Sequence, residues 1–372
     1  MTKEKVIIAM SGGVDSSAAA CLLKDQGYDV IGVHLRLWFD EDADTADIPD
    51  DGRRCCAISN AEDARMVADK LGIPFYVLNC RNEFHSEVVE YFCAEYLAGR
   101  TPNPCTVCNE KIKFGYLLKK ADELGAKYVA TGHYAVIEQD TETNRYLLKK
   151  GHDEKKDQSY FLFSLSQDQL SRILFPLGKY SKPQVRELAK NFGLNIHKKK
   201  ESQEICFITN DNYRDFLQRR YPEKFKSGNI VNASGKVLGQ HEGVFSYTIG
   251  QRKGIGVSNP TPLYVIATDV EKNEVIVGEK DELFKESCIV ENITWISIEK
   301  LETPLECLTM IRYNHPGAPS TIEPIVGGKA EPIGNGRVKV TFDQPEKAIA
   351  PGQAAVFYDG EAVIGGGWIK KE

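Results

Sequence analysis

The sequence predicts an α/β protein, with a helix-covered parallel sheet first, then a small central domain and a C-terminal antiparallel β-barrel. Three observations carry this. Short apolar runs alternate with helix-length segments through the first third, as in a sheet with helices on both faces. Beyond about residue 210, glycines become frequent and short β-rich runs separated by turn signals replace helical periodicity. The length of 372 residues suits two or three domains, each large enough for its own core.

Residues 6–10 read as the first strand, followed by a Gly-rich turn and a helix over 17–26. Strand 30–38, helix 61–71, strand 75–78, helices 83–98 and 109–124, and strand 128–131 continue the alternation. Residues 135–148, broken at 140–144, have the pattern of an antiparallel hairpin. Ser181-Lys182-Pro183-Gln184 opens a further helix with a capping-box pattern. In the C-terminal part, 263–268, 274–277, 338–342 and 354–358 are the clearest strands. The expected domains are 1–205, 206–280 and 281–372.

Composition narrows the class. With 42% hydrophobic and 27% charged residues, wholesale disorder is excluded. No apolar run approaches the roughly 18–20 residues of a membrane span. The opening MTKEKVIIAM lacks a signal-peptide core, so a soluble cytoplasmic protein without a membrane partner is expected. The net charge of −6 gives no global attraction to a polyanion, so RNA binding needs local patches. Lys198-Lys199-Lys200, Arg219-Arg220 and Arg252-Lys253 are the candidates, although such runs are usually solvated faces. Asp40 to Asp51 carries seven carboxylates in twelve residues and reads as an exposed loop. Ten irregularly spaced cysteines without a secretory signal point to packing, catalysis or metal binding rather than a disulfide framework.

The strongest chemical signal is Ser11-Gly12-Gly13-Val14-Asp15-Ser16-Ser17, between the first strand and the first helix. Glycines let backbone N–H groups approach a phosphate, and the helix N-terminus adds partial positive charge. The serines can donate further hydrogen bonds, and Asp15 suits Mg²⁺ beside phosphates. No Gly-Lys-Ser/Thr occurs in the chain, which separates this loop from the kinase type. Thr131-Gly132-His133-Tyr134 ends a later strand, where open α/β sheets present ligands. Gly132 permits close approach there, and His133 faces either a structural or a substrate role.

Two cysteine segments add a second chemistry. Gly99-Arg-Thr-Pro-Asn-Pro-Cys105-Thr-Val-Cys108-Asn109 is a Pro-rich loop delivering a cysteine to a helix start, where a thiolate is favoured. Cys206 follows three lysines that also favour a thiolate. Cys21, Cys80, Cys93, Cys288 and Cys307 read as inert packing residues, and the adjacent Cys55-Cys56 pair has no assigned purpose.

SGGVDSS resembles the pyrophosphate loop of N-type ATP pyrophosphatases. The ordered set SGGVDSS, GRTPNPC-x-x-CN-x-x-IKFG, ATGHYA, KKDQSYFL, SQEICFI, YTIGQRKGIG, IRYNHPG and PGQAAVFY resembles the bacterial tRNA-specific 2-thiouridylases over nearly the whole chain. That family uses ATP to replace the C2 oxygen of a wobble uridine with sulfur. The resemblance implies an adenine-nucleotide-hydrolase-like first domain, a central tRNA-contacting domain and a C-terminal β-barrel. It places ATP on Ala9, Met10, Ser11, Gly12, Gly13, Val14, Asp15, Ser16, Leu35 and Gly132, with Mg²⁺ near Asp15. It makes Cys108 the nucleophile and Cys206 the persulfide carrier. It brings tRNA to His133, Lys156, Asp157, Gln158, Arg312, Tyr313 and Gln353. It also implies a sulfur-relay or cysteine desulfurase donor protein.

One position departs from the pattern. Many relatives carry Asp-x-x-Cys where this chain has Cys105-Thr-Val-Cys108, and a thiol with a pKa of about 8.5 is a different proton carrier from a carboxyl near 4, so the carboxylate role does not transfer unchanged. Either Cys105 does proton or redox work, or Cys105, Cys108 and Cys206 hold a [4Fe–4S] cluster with one open iron. Two other readings compete: an amidotransferase or ligase with the same loop, and a non-enzymatic adenine-nucleotide sensor. A glutaminase signature, which the former needs, is not seen.

Overall fold

The computed structural model describes residues 3–38, 58–194, 205–208, 212–325 and 336–371. The acidic stretch from Asp40 to Asp51, Cys55-Cys56 and the lysines at 198–200 lie outside them. Two compact units emerge. The first comprises residues 1–89, 105–208 and 361–363, and the second 90–104, 209–360 and 364–372.

The first unit is built on strands β1 (Lys5–Ala9), β2 (Asp29–Arg36), β3 (Phe75–Asn79) and β4 (Tyr128–Ala130). The hairpin β5 (Ala135–Gln139) and β6 (Tyr146–Lys150) and the short β7 (Ile173–Leu174) follow. The five-stranded sheet has the order β3-β2-β1-β4-β7, and all its pairs are parallel. β1 is central, so Val6, Ile7 and Ile8 are buried on both faces, as a continuous apolar run requires. Helix α1 (Val14–Asp25) lays Ala18, Ala19, Ala20, Leu22 and Leu23 on the core with Val6, Ile8 and Met10. This helix starts three residues before the sequence-based boundary, because Gly13 serves as its N-cap. β5 and β6 pair antiparallel, as expected.

The stretch after Pro104 also begins earlier than the sequence suggests. Pro104–Val107 is already helical and continues as a wide π-turn helix over Cys108–Tyr116, then as α-helix over Leu117–Glu123. Proline fits the first helical position, where its missing N–H costs nothing, so the Pro-rich motif is a helix start rather than only a loop. Cys105, not Cys108, therefore occupies the first turn. Long π stretches are rare and favour functional sites.

The second unit holds a four-stranded sheet of β8 (Gly228–Asn232), β9 (Val237–His241), β10 (Tyr264–Asp269) and β11 (Glu274–Gly278), in the order β10-β11-β8-β9. A helix over Tyr213–Arg220, which the sequence reading missed, precedes it. Only two of its eight residues are buried, Phe216 and Leu217, too few to show a periodic apolar face. The barrel strands are β12 (Phe284–Trp295), β13 (Leu305–Met310), β14 (Ala318–Pro324), β15 (Val338–Lys347), β16 (Ala354–Asp359) and β17 (Ala362–Ile369). They run β12-β15-β14-β13-β16-β17 and close through β12–β17. Closure leaves no open edge and buries Val290, Ile322, Val340, Phe357 and Ile364 inside.

Residues 90–104 join this second unit through specific contacts. Tyr91 packs on Trp368, Phe92 on Phe216, and Tyr96 stacks on Tyr213 at 4.5 Å. Thr101 N–H donates to Pro351 O at 2.8 Å, and Gln353 Nε2 donates to Thr101 O and Pro102 O at 3.1 and 3.0 Å.

Candidate functional site

The loop after β1 is shaped for an anion. Gly12 has φ +73°, and a Cβ there would fall 2.1 Å from Asn60 O, so only glycine fits. Ser11 N–H donates to Ser16 Oγ at 3.1 Å, and Ser17 Oγ donates to Gly13 O at 2.9 Å. Gly13 supplies no side-chain cap, which leaves the positive end of α1 facing the loop. Ala9 and Leu35 stand on β1 and β2, with Ala9 opposite Val33 in the parallel register. Met10 N–H donates to Val33 O at 2.7 Å, and the His34 Nδ1–H donates to Met10 O at 2.9 Å.

Gly132 closes on the same loop. A Cβ on it would meet Asp15 C and Ser16 N, both at 2.8 Å. Gly132→Ala must therefore displace backbone rather than a flexible side chain. Steady-state assays should find ATP-dependent turnover reduced roughly 100-fold, the scale of an ångström-sized misplacement. The variant should also lose the thermal protection that ATP gives the parent.

Asp15 is not an isolated carboxylate. Lys182 Nζ lies 2.8 Å from each of its oxygens, and the Tyr134 hydroxyl donates to Oδ1 at 2.7 Å. Lys182 is only 7% exposed, and its backbone N–H is held by Asp153 Oδ2 at 2.8 Å. The sequence reading missed this residue. The Ser181–Gln184 pattern signals only the helix start: Gln184 Oε1 accepts from Ser181 N–H at 2.8 Å, beginning the helix Lys182–Asn191 with Lys182 at its first position. A Mg²⁺ ion at Asp15 would share this carboxylate with Lys182 and the Tyr134 hydroxyl.

His133 is buried beside Phe114 and Phe175, its Nδ1 2.7 Å from Thr131 Oγ1. Burial, aided by the Lys113 ammonium, holds its pKa well below the ordinary histidine value. His34 is lowered too, chiefly by burial. Both are neutral in the fold at pH 7. An unfolded chain takes up their protons near pH 6.5. The stability they confer is thus complete above about pH 6.5 and lost as pH falls towards their folded pKa values. Urea midpoints should be lower at pH 5.5 than at pH 7.5.

Asp157 and Gln158 do internal work. Asp157 Oδ1 accepts from Gly151 N–H at 2.9 Å and Ser159 N–H at 3.1 Å, and Oδ2 accepts from Ser159 Oγ at 2.8 Å. Burial raises its pKa, partly opposed by these bonds. Gln158 Oε1 accepts from Tyr134 N–H at 3.0 Å, tying this segment to the Gly132 strand end. Lys156 beside them is half-buried. Asn109, next to Cys108, donates from Nδ2 to Phe161 O at 3.1 Å.

Of the cysteines, Cys105 is exposed, Cys108 buried and Cys206 intermediate. Among the described residues, no three His, Cys, Asp or Glu side chains gather to hold a metal. The arrangement therefore does not fit a cluster on Cys105, Cys108 and Cys206. Burial pushes Cys21, Cys80 and Cys93 up to about 11, which suits packing thiols. In the second unit, Arg312 Nη1 donates to Lys347 O at 3.4 Å and Tyr313 is half-buried on the same turn. Gln353 spends its amide on Thr101 and Pro102. No described helix is long and apolar enough to cross a membrane.

Comparison with known proteins adds the family. The tRNA methyl transferase HUP domain matches residues 4–210, the tRNA methyl transferase PRC-barrel domain 214–279, and the aminomethyltransferase beta-barrel domain 285–369. The tRNA-specific 2-thiouridylase MnmA 1 of Thermoanaerobacter sp. (strain X514) is 50% identical over 99% of this chain and 98% of its own. The MnmA of Clostridioides difficile (strain 630) is 47% identical over 99% and 98%, and that of Heliobacterium modesticaldum (strain ATCC 51547 / Ice1) 51% over 99% and 92%. With this identity along essentially its whole length, the chain belongs to the family of the tRNA-specific 2-thiouridylases.

Proposed function

We propose that the protein is an ATP-dependent tRNA-uridine 2-sulfurtransferase acting in the cytoplasm on the wobble uridine. The observation that carries this is the uncapped α1 N-terminus behind Gly12, with the Lys182–Asp15 pair beside it. A loop of this kind suits a departing pyrophosphate. Methyl transfer, which the domain descriptions mention, releases none.

Oxide is a poor leaving group, so the C2 oxygen of uridine needs activation. Adenylation converts it into AMP and releases pyrophosphate. In this reading the backbone N–H groups at the start of α1 hold the pyrophosphate, and Lys182 supplies the cation that offsets its charge. Ala9, Met10, Val14 and Leu35 border the nucleotide, and Gly132 keeps the loop closed. Mg²⁺ would accompany ATP and neutralise phosphate charge.

The sulfur then comes from Cys206, loaded as a persulfide by a donor protein. Its terminal sulfur attacks C2 and AMP leaves with the C–O electron pair. The Cys108 thiolate attacks the inner sulfur and breaks the S–S bond. The outer sulfur stays on the base, and a Cys108–Cys206 disulfide remains for an external thiol to reduce. Cys105, three positions before Cys108 in the sequence, would serve as an accessory thiol. For tRNA, Arg312 and Tyr313 suit phosphate contact and base stacking in the second unit, and His133 and Lys156 are the candidates in the first; Asp157, Gln158 and Gln353 hold neighbouring backbone and would act on tRNA through it. Along the sequence the proposed domains are 1–205, 206–280 and 281–372, although 90–104 groups with the second compact unit and 206–208 with the first.

The test is to follow pyrophosphate, AMP and 2-thiouridine with ATP, tRNA and a persulfide donor, omitting each in turn. The reading expects all three products only in the complete mixture, and pyrophosphate without 2-thiouridine when the donor is left out. Amide formation from ammonia would favour a ligase. ATP binding without pyrophosphate release would leave a sensor.

A further inference from the structure

The turn at 205–208 presents one side chain and buries the next two. Ile208 N–H closes it on Ile205 O at 3.0 Å. Cys206 is half-buried, whereas Phe207 and Ile208 are 3% and 4% exposed. The Phe207 ring lies 5.9 Å from that of Trp38, tilted, and 5.7 Å from that of Phe84, edge-on. Trp38 is itself stacked on His85 at 6.3 Å with an interplanar angle of 6°. Trp38 follows β2 and Phe84 follows β3, so three separate stretches meet beyond the carboxyl ends of parallel strands. That is the edge where open α/β sheets bind ligands.

We propose that Phe207 is a positioning residue for sulfur transfer by Cys206, its ring seated against Trp38 and Phe84 so that the neighbouring sulfur is held at the ligand edge. This rests on the reading of Cys206 as the persulfide carrier. A sulfur that must meet C2 at about 3–3.5 Å needs its backbone fixed. A hydrogen bond that closes a turn does not by itself remove the turn's freedom to pivot. An aromatic ring buried between two others removes that freedom, because edge-on packing specifies orientation as well as depth. Leucine would fill part of the volume without specifying the angle, and alanine would fill neither.

The test uses the full-length protein with Trp295→Phe and Trp368→Phe, leaving Trp38 as the sole tryptophan. Phe207→Ala, Phe207→Leu and Trp38→Leu are added singly, the last for kinetics and labelling only. Phe207→Ala should lower kcat for 2-thiouridine formation about tenfold, leave KM for tRNA and single-turnover pyrophosphate release within twofold, and speed iodoacetamide labelling of Cys206. Phe207→Leu should recover part of the loss. Inorganic polysulfide, which places sulfane sulfur on Cys206, should change Trp38 emission in the parent, but not with Cys206→Ser or Phe207→Ala. A folded Phe207→Ala variant with less than a threefold loss in kcat, or with a loss confined to KM, overturns the proposal. So does an emission response that survives Phe207→Ala. Should that variant not fold, Trp38→Leu is judged by the same kinetic and labelling limits. A parent that releases pyrophosphate but never yields 2-thiouridine defeats the functional reading, while the labelling and emission measurements still decide on the anchor.

Discussion

Cys206→Ser should release pyrophosphate in the presence of tRNA and yield no detectable 2-thiouridine. Serine is close in size, and Phe207 and Ile208 keep the turn in place, so the fold and ATP use should survive. Its oxygen cannot carry a sulfane sulfur, so the transferable atom is missing altogether. The expected effect is therefore complete rather than graded. Radiolabelled sulfur from the donor should stay off the variant, and pyrophosphate release in a single turnover should remain within about threefold, a shift below 1 kcal/mol in barrier height. Thiouridine formed at a substantial rate by Cys206→Ser would remove Cys206 as carrier.

Lys182→Met should cut pyrophosphate release by roughly 10²–10³-fold, the usual scale for losing one charged group aimed at developing negative charge. Methionine retains the stem that packs at this buried position but removes the ammonium from both Asp15 oxygens. Asp15, left with only the Tyr134 hydroxyl from this cluster, should also cost stability. The double variant Lys182→Met with Asp15→Asn separates these effects. It should regain much of the melting temperature and none of the pyrophosphate release. If activity returns with stability, Lys182 is only a structural partner of Asp15.

The first sheet was legible because β1 is apolar throughout and the loop after it has its own residue code. Gly12 and Gly132 could be read as close-approach glycines, and the structure gives both a backbone neighbour under 3 Å. Lys182 was not legible as a site residue, since it lies 167 positions from Asp15 and no local pattern joins them. The helical start at Pro104 was hidden for the opposite reason. Two prolines in four residues read as a loop, yet the second sits where helices accept proline. Asp157, Gln158 and Gln353 could be picked out only through family resemblance, which says nothing of their internal hydrogen bonds. Side chains that hold distant backbone leave no periodic trace in sequence.

The grouping of residues 90–104 with the second unit bears on how these chains are inherited. Tyr91, Phe92, Tyr96, Thr101 and Pro102 all find partners encoded more than a hundred codons downstream, at Trp368, Phe216, Tyr213, Pro351 and Gln353. A recombination crossover near codon 209 would thus split a matched set, even though it falls between two apparent modules. Chimeras between relatives should work as simple cassettes only when the 90–104 stretch travels with the C-terminal half, making the gene an interleaved pair rather than a string of exchangeable parts.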